Sequence, residues 1–329
     1  MSEVTRRLTL GGLAASGLAA CAPVVQRAGS PPLGFSGPRL EADAFVAADG
    51  TVLPMDVWAP EGRPRAALVA LHGMNDYAHA FHLAAPWWAE QGIVTYAYDQ
   101  RGFGRGPQRG VWAGAELLAQ DLRTMTALVR ARHPDILVVV LGHSMGGAVA
   151  IRAFASPEPP DAHRVILAAP GVWGWSRQAL VNRLLLWTAA HVAPALKLTP
   201  PDWLARQVQA SDNIDELIAM GRDPNMIFAT RIDAVYGLVN LMQDADEGLK
   251  RVQAPALYLY GANDRIVPAD ATLHAARGLK PTDRSAWYER GWHLLTRDLQ
   301  GPTVWADIAA YLKDPEAPLP SGAPPLPRG

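Results

Sequence analysis

One cysteine, at position 21, is all that the 329 residues provide. No intramolecular disulfide can staple the fold, so its stability must come from a packed core. An excess of either charge is also missing: 30 Lys and Arg stand against 31 Asp and Glu, a formal net charge of −1. That balance argues against the basic surface needed for nucleic acid, and it gives no steering toward charged partners. Phosphate-loop and dinucleotide signatures are missing, and no internal repeat is visible. His79 and His82 are three apart and can share a helix face, but no further clustered ligands accompany them. The chain is therefore expected to hold no metal and to use no cofactor. What is abundant is apolar: 49% of residues are hydrophobic and 19% charged, the proportions of a globular chain with a real core. The length suits one large α/β domain or two small ones.

The ends differ from the middle. Arg6-Arg7 is followed by an apolar run from Leu8 to Ala20 that stops at Cys21. A bilayer span needs about 20 apolar residues, so this run is too short to cross, and its charged-then-apolar layout is that of a secretory leader. T-R-R-L-T-L resembles a twin-arginine export signal, and L-A-A-C resembles a bacterial lipobox. The resemblance implies removal of residues 1–20, lipidation of Cys21, and a membrane-anchored lipoprotein on the periplasmic face of the cell envelope. Ala22, in place of aspartate after the cysteine, leans toward the outer membrane. Residues 21–38 are rich in Pro, Gly and Ser and read as a flexible tether, and 315–329 as a disordered Pro-rich tail.

Between these ends, apolar runs alternate with helical spacing. An opening hairpin (L-E-A-D-A-F-V, then T-V-L-P-M-D-V-W) precedes six runs typical of buried strands: R-A-A-L-V-A-L, G-I-V-T-Y-A-Y, I-L-V-V-V-L, R-V-I-L-A-A, A-L-Y-L-Y and S-A-W-Y. Strands apolar throughout and separated by helices predict an α/β domain over 39–314, its mostly parallel eight-stranded sheet covered by helices on both faces. The rhythm breaks at about 173–251, where only Leu- and Trp-rich helical stretches occur. An insertion there predicts a helical cap over the strands' C-terminal ends, where ligands of open α/β sheets bind. The other reading is that these helices pack on the sheet as extra core.

Gly142-His143-Ser144-Met145-Gly146 fits G-x-S-x-G, placed after a strand and before a helix. In that setting a sharp turn lifts the serine hydroxyl clear of the sheet. A serine needs a base, and the base needs an orienting acid. Asp264 follows the strand A-L-Y-L-Y-G, and His293 follows the last strand beside Gly291, in the order serine, acid, histidine. Asp270 and Asp283 are rival acids, but neither directly follows a strand. Two backbone N–H groups must meet a tetrahedral oxyanion, one from Met145 and one from Met74 after His72-Gly73.

With D-Q-R-G-F-G-R-G at Asp99–Gly106, these motifs resemble the α/β-hydrolase fold. More narrowly, they resemble its monoacylglycerol lipase and lysophospholipase branch, grouped with serine aminopeptidases. The resemblance implies a Ser144–His293–Asp264 triad, Met74 and Met145 as oxyanion donors, a lipid-facing cap and a small lipid ester as partner. The Asp99 loop, with Arg101 and Gly102, is expected to shape the sheet edge. Monoglyceride lipases carry an acidic residue and an arginine after the His-Gly pair to bind glycerol. Asp76 occupies the acidic position, but Ala80 stands where the arginine belongs. A transacylase, thioesterase or aminopeptidase with the same triad stays open, the last calling on Asp212, Asp215 or Glu216 to hold an amine. So does a non-catalytic envelope binding protein. Acyl length, head group and oligomeric state are not encoded in any motif.

Overall fold

Six consecutive apolar residues, Ala66–Leu71, leave no face for water, and the chain buries all six. The computed structural model describes residues 22–199 and 208–327. The expected leader at 1–20 and the candidate lipidation site Cys21 therefore lie outside the described residues.

The chain opens with β1 (Arg39–Leu40), β2 (Ala44–Val46) and β3 (Val52–Trp58), which pair antiparallel in sequence. β3 then pairs antiparallel with β5 (Ile93–Tyr98), beyond which the sheet is parallel. β4 (Ala66–Leu71), β6 (Leu137–His143), β7 (Arg164–Ala168), β10 (Ala256–Gly261) and β11 (Arg284–Tyr288) complete the order β1-β2-β3-β5-β4-β6-β7-β10-β11. Among the described residues the sheet has nine strands, not the expected eight. The extra one is β1: the run L-E-A-D-A-F-V folds back on itself, pairing Leu40 with Phe45. Two residues give no periodicity from which a strand could be read.

Register sets the site. Leu71 at the tip of β4 lies opposite Gly142 of β6, His143 lies opposite Ala168 of β7, and Gly261 of β10 lies opposite Tyr288 of β11. The loops after these strands thus leave the sheet along one edge. Helices cover both faces, each over its own apolar cluster. One cluster includes residues of α1 (Ala84–Glu90) and α7 (Gly301–Lys313). The other includes α2 (Ala115–Arg132) and α3 (Met145–Phe154). Leu118, Leu122, Met125 and Val129 form the buried stripe of α2 at the spacing a 3.6-residue period requires.

The insertion between β7 and β10 holds α4 (Leu180–Val192), β8 (Lys197–Leu198), α5 (Ile214–Arg222), β9 (Thr230–Arg231) and α6 (Ile232–Gly248). β8 and β9 form a two-stranded antiparallel ribbon where no strand was expected. α6 buries Ala234, Val239, Leu241 and Ala245 in the domain core, whereas Ala190 is the only buried residue of α4.

Neither terminal segment behaves as its composition suggests. In the tether, buried Gln26 donates from its backbone N–H to Trp112 O (2.8 Å) and from Nε2 to Val111 O (2.7 Å). In the tail, Trp287 N–H donates to Pro324 O (2.7 Å), Arg284 donates to Pro315 O (2.6 Å), and Leu319 and Leu326 are buried. Proline cannot join a ladder, but its carbonyl still accepts, so a Pro-rich chain can lie in place without regular structure. Ending the chain at Asp314 should lower stability, with roughly 1.5–3 kcal/mol lost for each of the two leucines. Urea unfolding of the truncated and full chains measures the difference.

The Asp99 loop is structural, as expected. Asp99 accepts from Ala78 N–H (2.9 Å) and Arg105 N–H (2.8 Å), and Arg101 bridges Asp49 and Asp121.

Candidate active site

Between the end of β6 and the start of α3, Ser144 has φ 52° and ψ −117°, a conformation that L-residues rarely adopt. Neighbouring strands hold it there: its N–H donates to Ala168 O (3.0 Å) and its carbonyl accepts from Gly171 N–H (2.8 Å). The helix that follows can pass close to β4 only through Gly146, where an added Cβ would lie 2.3 Å from Leu71 O.

The loop after β4 is aimed by His72. His72 Nε2 accepts from Gln100 N–H (2.9 Å), which assigns the ring proton to Nδ1, and Nδ1–H donates to Gly73 O (2.7 Å). Burial pushes this imidazole below its ordinary pKa, so the neutral tautomer persists. In a trans peptide the C=O and the following N–H point opposite ways. Holding Gly73 O on the His72 side therefore turns the Met74 N–H to the other. Met74 and Met145 line one cavity with Ser144.

Asp264 and His293 are brought together. His293 Nδ1–H donates to Asp264 Oδ2 (2.7 Å), and Asp264 Oδ1 accepts from Ile266 N–H (2.8 Å) and Val267 N–H (2.9 Å). Both side chains are buried. The close approach of their loops depends on Gly261, where a Cβ would lie 2.4 Å from the carbonyl carbon of Gly291. The rival Asp283 is occupied elsewhere, accepting from Ala256 N–H (3.0 Å) and Lys280 N–H (2.7 Å). His143, next to Ser144, packs its ring 5.0 Å from that of His293 and donates from Nε2 to His293 O (2.9 Å). Burial lowers the His143 pKa to about 3, so it stays a neutral donor.

Above Ser144 lies an apolar cavity of about 410 Å³, walled by Trp173, Trp175, Leu186, Leu238 and Met242 among others. Its far wall belongs to α4 and α6 of the inserted region. With a hydroxyl at its foot, an imidazole oriented by a carboxylate and two backbone donors, this arrangement has the parts for acyl transfer.

The family model described as serine aminopeptidase, S33, matches residues 62–300. The chain belongs to the serine aminopeptidase S33 family. It is 27% identical over 282 residues to a monoacylglycerol lipase of Mycolicibacterium smegmatis, covering 82% of this chain and 95% of that one. With human monoglyceride lipase it shares 25% over 295 residues, covering 88% and 95%. A crystal structure of a soluble variant of Saccharomyces cerevisiae monoglyceride lipase superposes with a TM-score of 0.67 at 15% identity, covering 88% of this chain and 98% of that one. The α/β-hydrolase fold expected from the motifs is thereby established.

Within this S33 chain, Asp76 departs from its expected role. Its carboxylate is buried and fully engaged: Oδ1 accepts from Tyr77 N–H (2.9 Å) and Oδ2 pairs with Arg297. Burial alone would raise this carboxyl, but the Arg297 guanidinium overrides it and holds the pKa below the usual range. Asp76 lines a separate cleft of about 70 Å³ rather than the apolar cavity. The arginine that pairs with Asp76 comes from four residues after His293, not from position 80. Arg297 also reaches Glu216 at 3.5 Å, tying the oxyanion loop, the histidine loop and α5 together.

Removing one partner of such a pair leaves buried charge uncompensated. Arg297→Met should therefore cost roughly 3–5 kcal/mol in urea unfolding, with Arg297→Lys recovering part of the loss. No local signal marks Arg297 in the sequence. Nor does one mark Asp298, which accepts from Trp292 N–H (2.7 Å) and Ser211 Oγ–H (2.6 Å) beside His293. His143 stands inside a recognised motif, yet only the fold shows what it touches.

Among the described residues no cluster of three or more His, Cys, Asp or Glu could hold a metal ion, and no helix is long and apolar enough to cross a membrane.

Proposed function

We propose that this chain is a serine hydrolase that cleaves carboxylic esters of lipid-like substrates, monoacylglycerols or lysophospholipids, through an acyl-enzyme on Ser144. The observation that carries this reading is the placement of Ser144 at the foot of an apolar cavity large enough for an acyl chain; it is supported by the carboxylate-oriented His293, whose ring packs on that of His143, the residue before Ser144. With its proton on Nδ1, His293 keeps the Nε2 lone pair to act as base.

Ser144 Oγ attacks the ester carbonyl carbon while His293 Nε2 takes the hydroxyl proton. The N–H groups of Met74 and Met145 stabilise the oxyanion, each such donor typically contributing 10²–10³-fold. The C–O bond to the alcohol then breaks, and His293 returns the proton to the departing oxygen. Water, activated by the same imidazole, attacks the acyl carbonyl and releases the acid and free Ser144.

Lipid-ester hydrolysis is consistent with the relatives' names. Exported and anchored through Cys21, the protein would meet its substrates at a bilayer of the cell envelope. The acids considered for an amine-binding subsite are less available for one. Glu216 pairs with Arg297, Asp212 accepts from Leu299 N–H (2.9 Å), and Asp215 faces solvent. This favours an ester over a peptide with a free α-amine.

The test is a panel of p-nitrophenyl esters of graded length with monoacylglycerols and lysophospholipids, plus labelling by a fluorophosphonate. Turnover should rise from acetyl to medium or long chains, and the probe should label Ser144. A preference for acetyl would remove the lipid assignment, and failure to label would remove the nucleophile.

A further inference from the structure

A buried acceptor left without a donor costs stability, so packing alone does not select one. Asn75, the residue after the oxyanion donor Met74, carries such an atom: its Oδ1 is buried and has no partner among the described residues. Nor does the backbone require this side chain. Gly73 O accepts from Asp76 N–H (3.4 Å), closing a turn in which Asn75 has φ 65° while Met74 keeps a negative φ. That is the pattern of a type II turn, whose third residue can be glycine at no steric cost. Neither stability nor turn geometry accounts for an amide at position 75.

What the amide does is reach the inserted region. Its Nδ2 donates to Thr230 Oγ1 (2.7 Å) in β9, and Asn75 O accepts from Ile227 N–H (3.0 Å). The receiving segment is itself fixed. Arg109 donates to Pro224 O (2.6 Å) and Met226 O (2.8 Å), and Tyr77 O–H donates to Asp223 Oδ2 (2.6 Å). Thr230 also pairs with Leu198 in the ribbon. Met74 therefore sits between two anchors. On one side His72 holds Gly73 O, and on the other the inserted segment holds Asn75 by main chain and side chain. With the first anchor alone, the short loop would pivot about one end and carry the Met74 N–H away from the oxyanion.

We propose that Asn75 is a positioning residue for the oxyanion hole: its amide ties the loop after β4 to Thr230 and so fixes the direction of the Met74 N–H. The proposal rests on the reading of the chain as a serine hydrolase with Ser144 as nucleophile. Acylation and deacylation pass through an oxyanion at the same place, so misdirecting one donor slows both steps alike. The loss then falls on kcat, and KM changes little. Asn75→Gly keeps the turn and removes the unpaired acceptor, so it should slow the reaction without loosening the fold.

The experiment compares the full chain with Asn75→Gly, Thr230→Val and Thr230→Ser on a water-soluble p-nitrophenyl ester, with inhibition by an alkyl trifluoromethyl ketone as a second readout. Ser144 Oγ adds to the ketone carbon, its proton passes to His293, and the carbonyl oxygen becomes the oxyanion, so the ketone reads the hole directly. Asn75→Gly and Thr230→Val should each lower kcat about tenfold or more, with KM within about twofold, and weaken the ketone in proportion. Thr230→Ser keeps the hydroxyl and should recover most of the rate. Asn75→Gly combined with Thr230→Val should be no slower than either alone, because both break the same bond. The urea midpoint of Asn75→Gly should match the parent's. Unchanged kcat, ketone binding that stays tight while kcat falls, or a slowing that only follows lost stability overturns the proposal. A parent chain with neither ester hydrolysis nor fluorophosphonate labelling would instead refute the hydrolase reading, so the two failures are distinguishable.

Discussion

Asp264→Asn should lower kcat by about 10⁴-fold while the protein folds normally. The reason lies in how the two carboxylate oxygens are used. Oδ1 accepts two backbone N–H groups, from Ile266 and Val267, so an amide NH₂ cannot sit there without setting donor against donor. The asparagine oxygen must take that place, which leaves the NH₂ facing His293 Nδ1. That nitrogen then becomes an acceptor, the ring proton moves to Nε2, and the lone pair needed to deprotonate Ser144 is gone. Steady-state kinetics on a p-nitrophenyl ester measure the loss. A drop below tenfold would mean that Asp264 does not set the tautomer.

Ser144→Ala and Ser144→Gly should both abolish turnover, by about 10⁴-fold or more, yet differ in stability. At φ 52° and ψ −117° any side chain is strained, and residues in such regions cost on the order of 1–3 kcal/mol. Alanine keeps that strain because it keeps the Cβ. Glycine relieves it, less about 0.5–1 kcal/mol for the greater freedom of the unfolded chain. The glycine variant should therefore be more stable than the wild type by about 1 kcal/mol in urea unfolding, and the alanine variant close to neutral. Equal stability for the two would show that the turn is not strained. Loss of fluorophosphonate labelling in both identifies the nucleophile independently of kinetics.

The parts of the site that sit at strand ends were legible in the sequence, because an apolar run marks each strand and the loop after it is short. Ser144, Asp264, His293, Met74 and Met145 all lie within five residues of such a strand end. Residues whose meaning depends on a distant partner were not. Arg297 lies in a polar turn with nothing to distinguish it, and its role exists only where Asp76 and Glu216 come within reach. The terminal segments misled for a related reason. Proline and glycine report the absence of regular structure, and regular structure is not the only way for a chain to be held. β1 escaped because two residues carry no period.

The proline-rich end has a further consequence. β11 would otherwise finish the sheet with a row of free backbone groups, the template on which strands of other molecules add. Residues 315–327 lie over that side through Pro324 and Leu326, and their own outer side offers few N–H groups because so many are proline. At the opposite margin β1 is only two residues long. The tail thus acts as a selvedge for the sheet: chains lacking it should not merely loosen but stick to one another, a hazard that grows wherever the protein is concentrated.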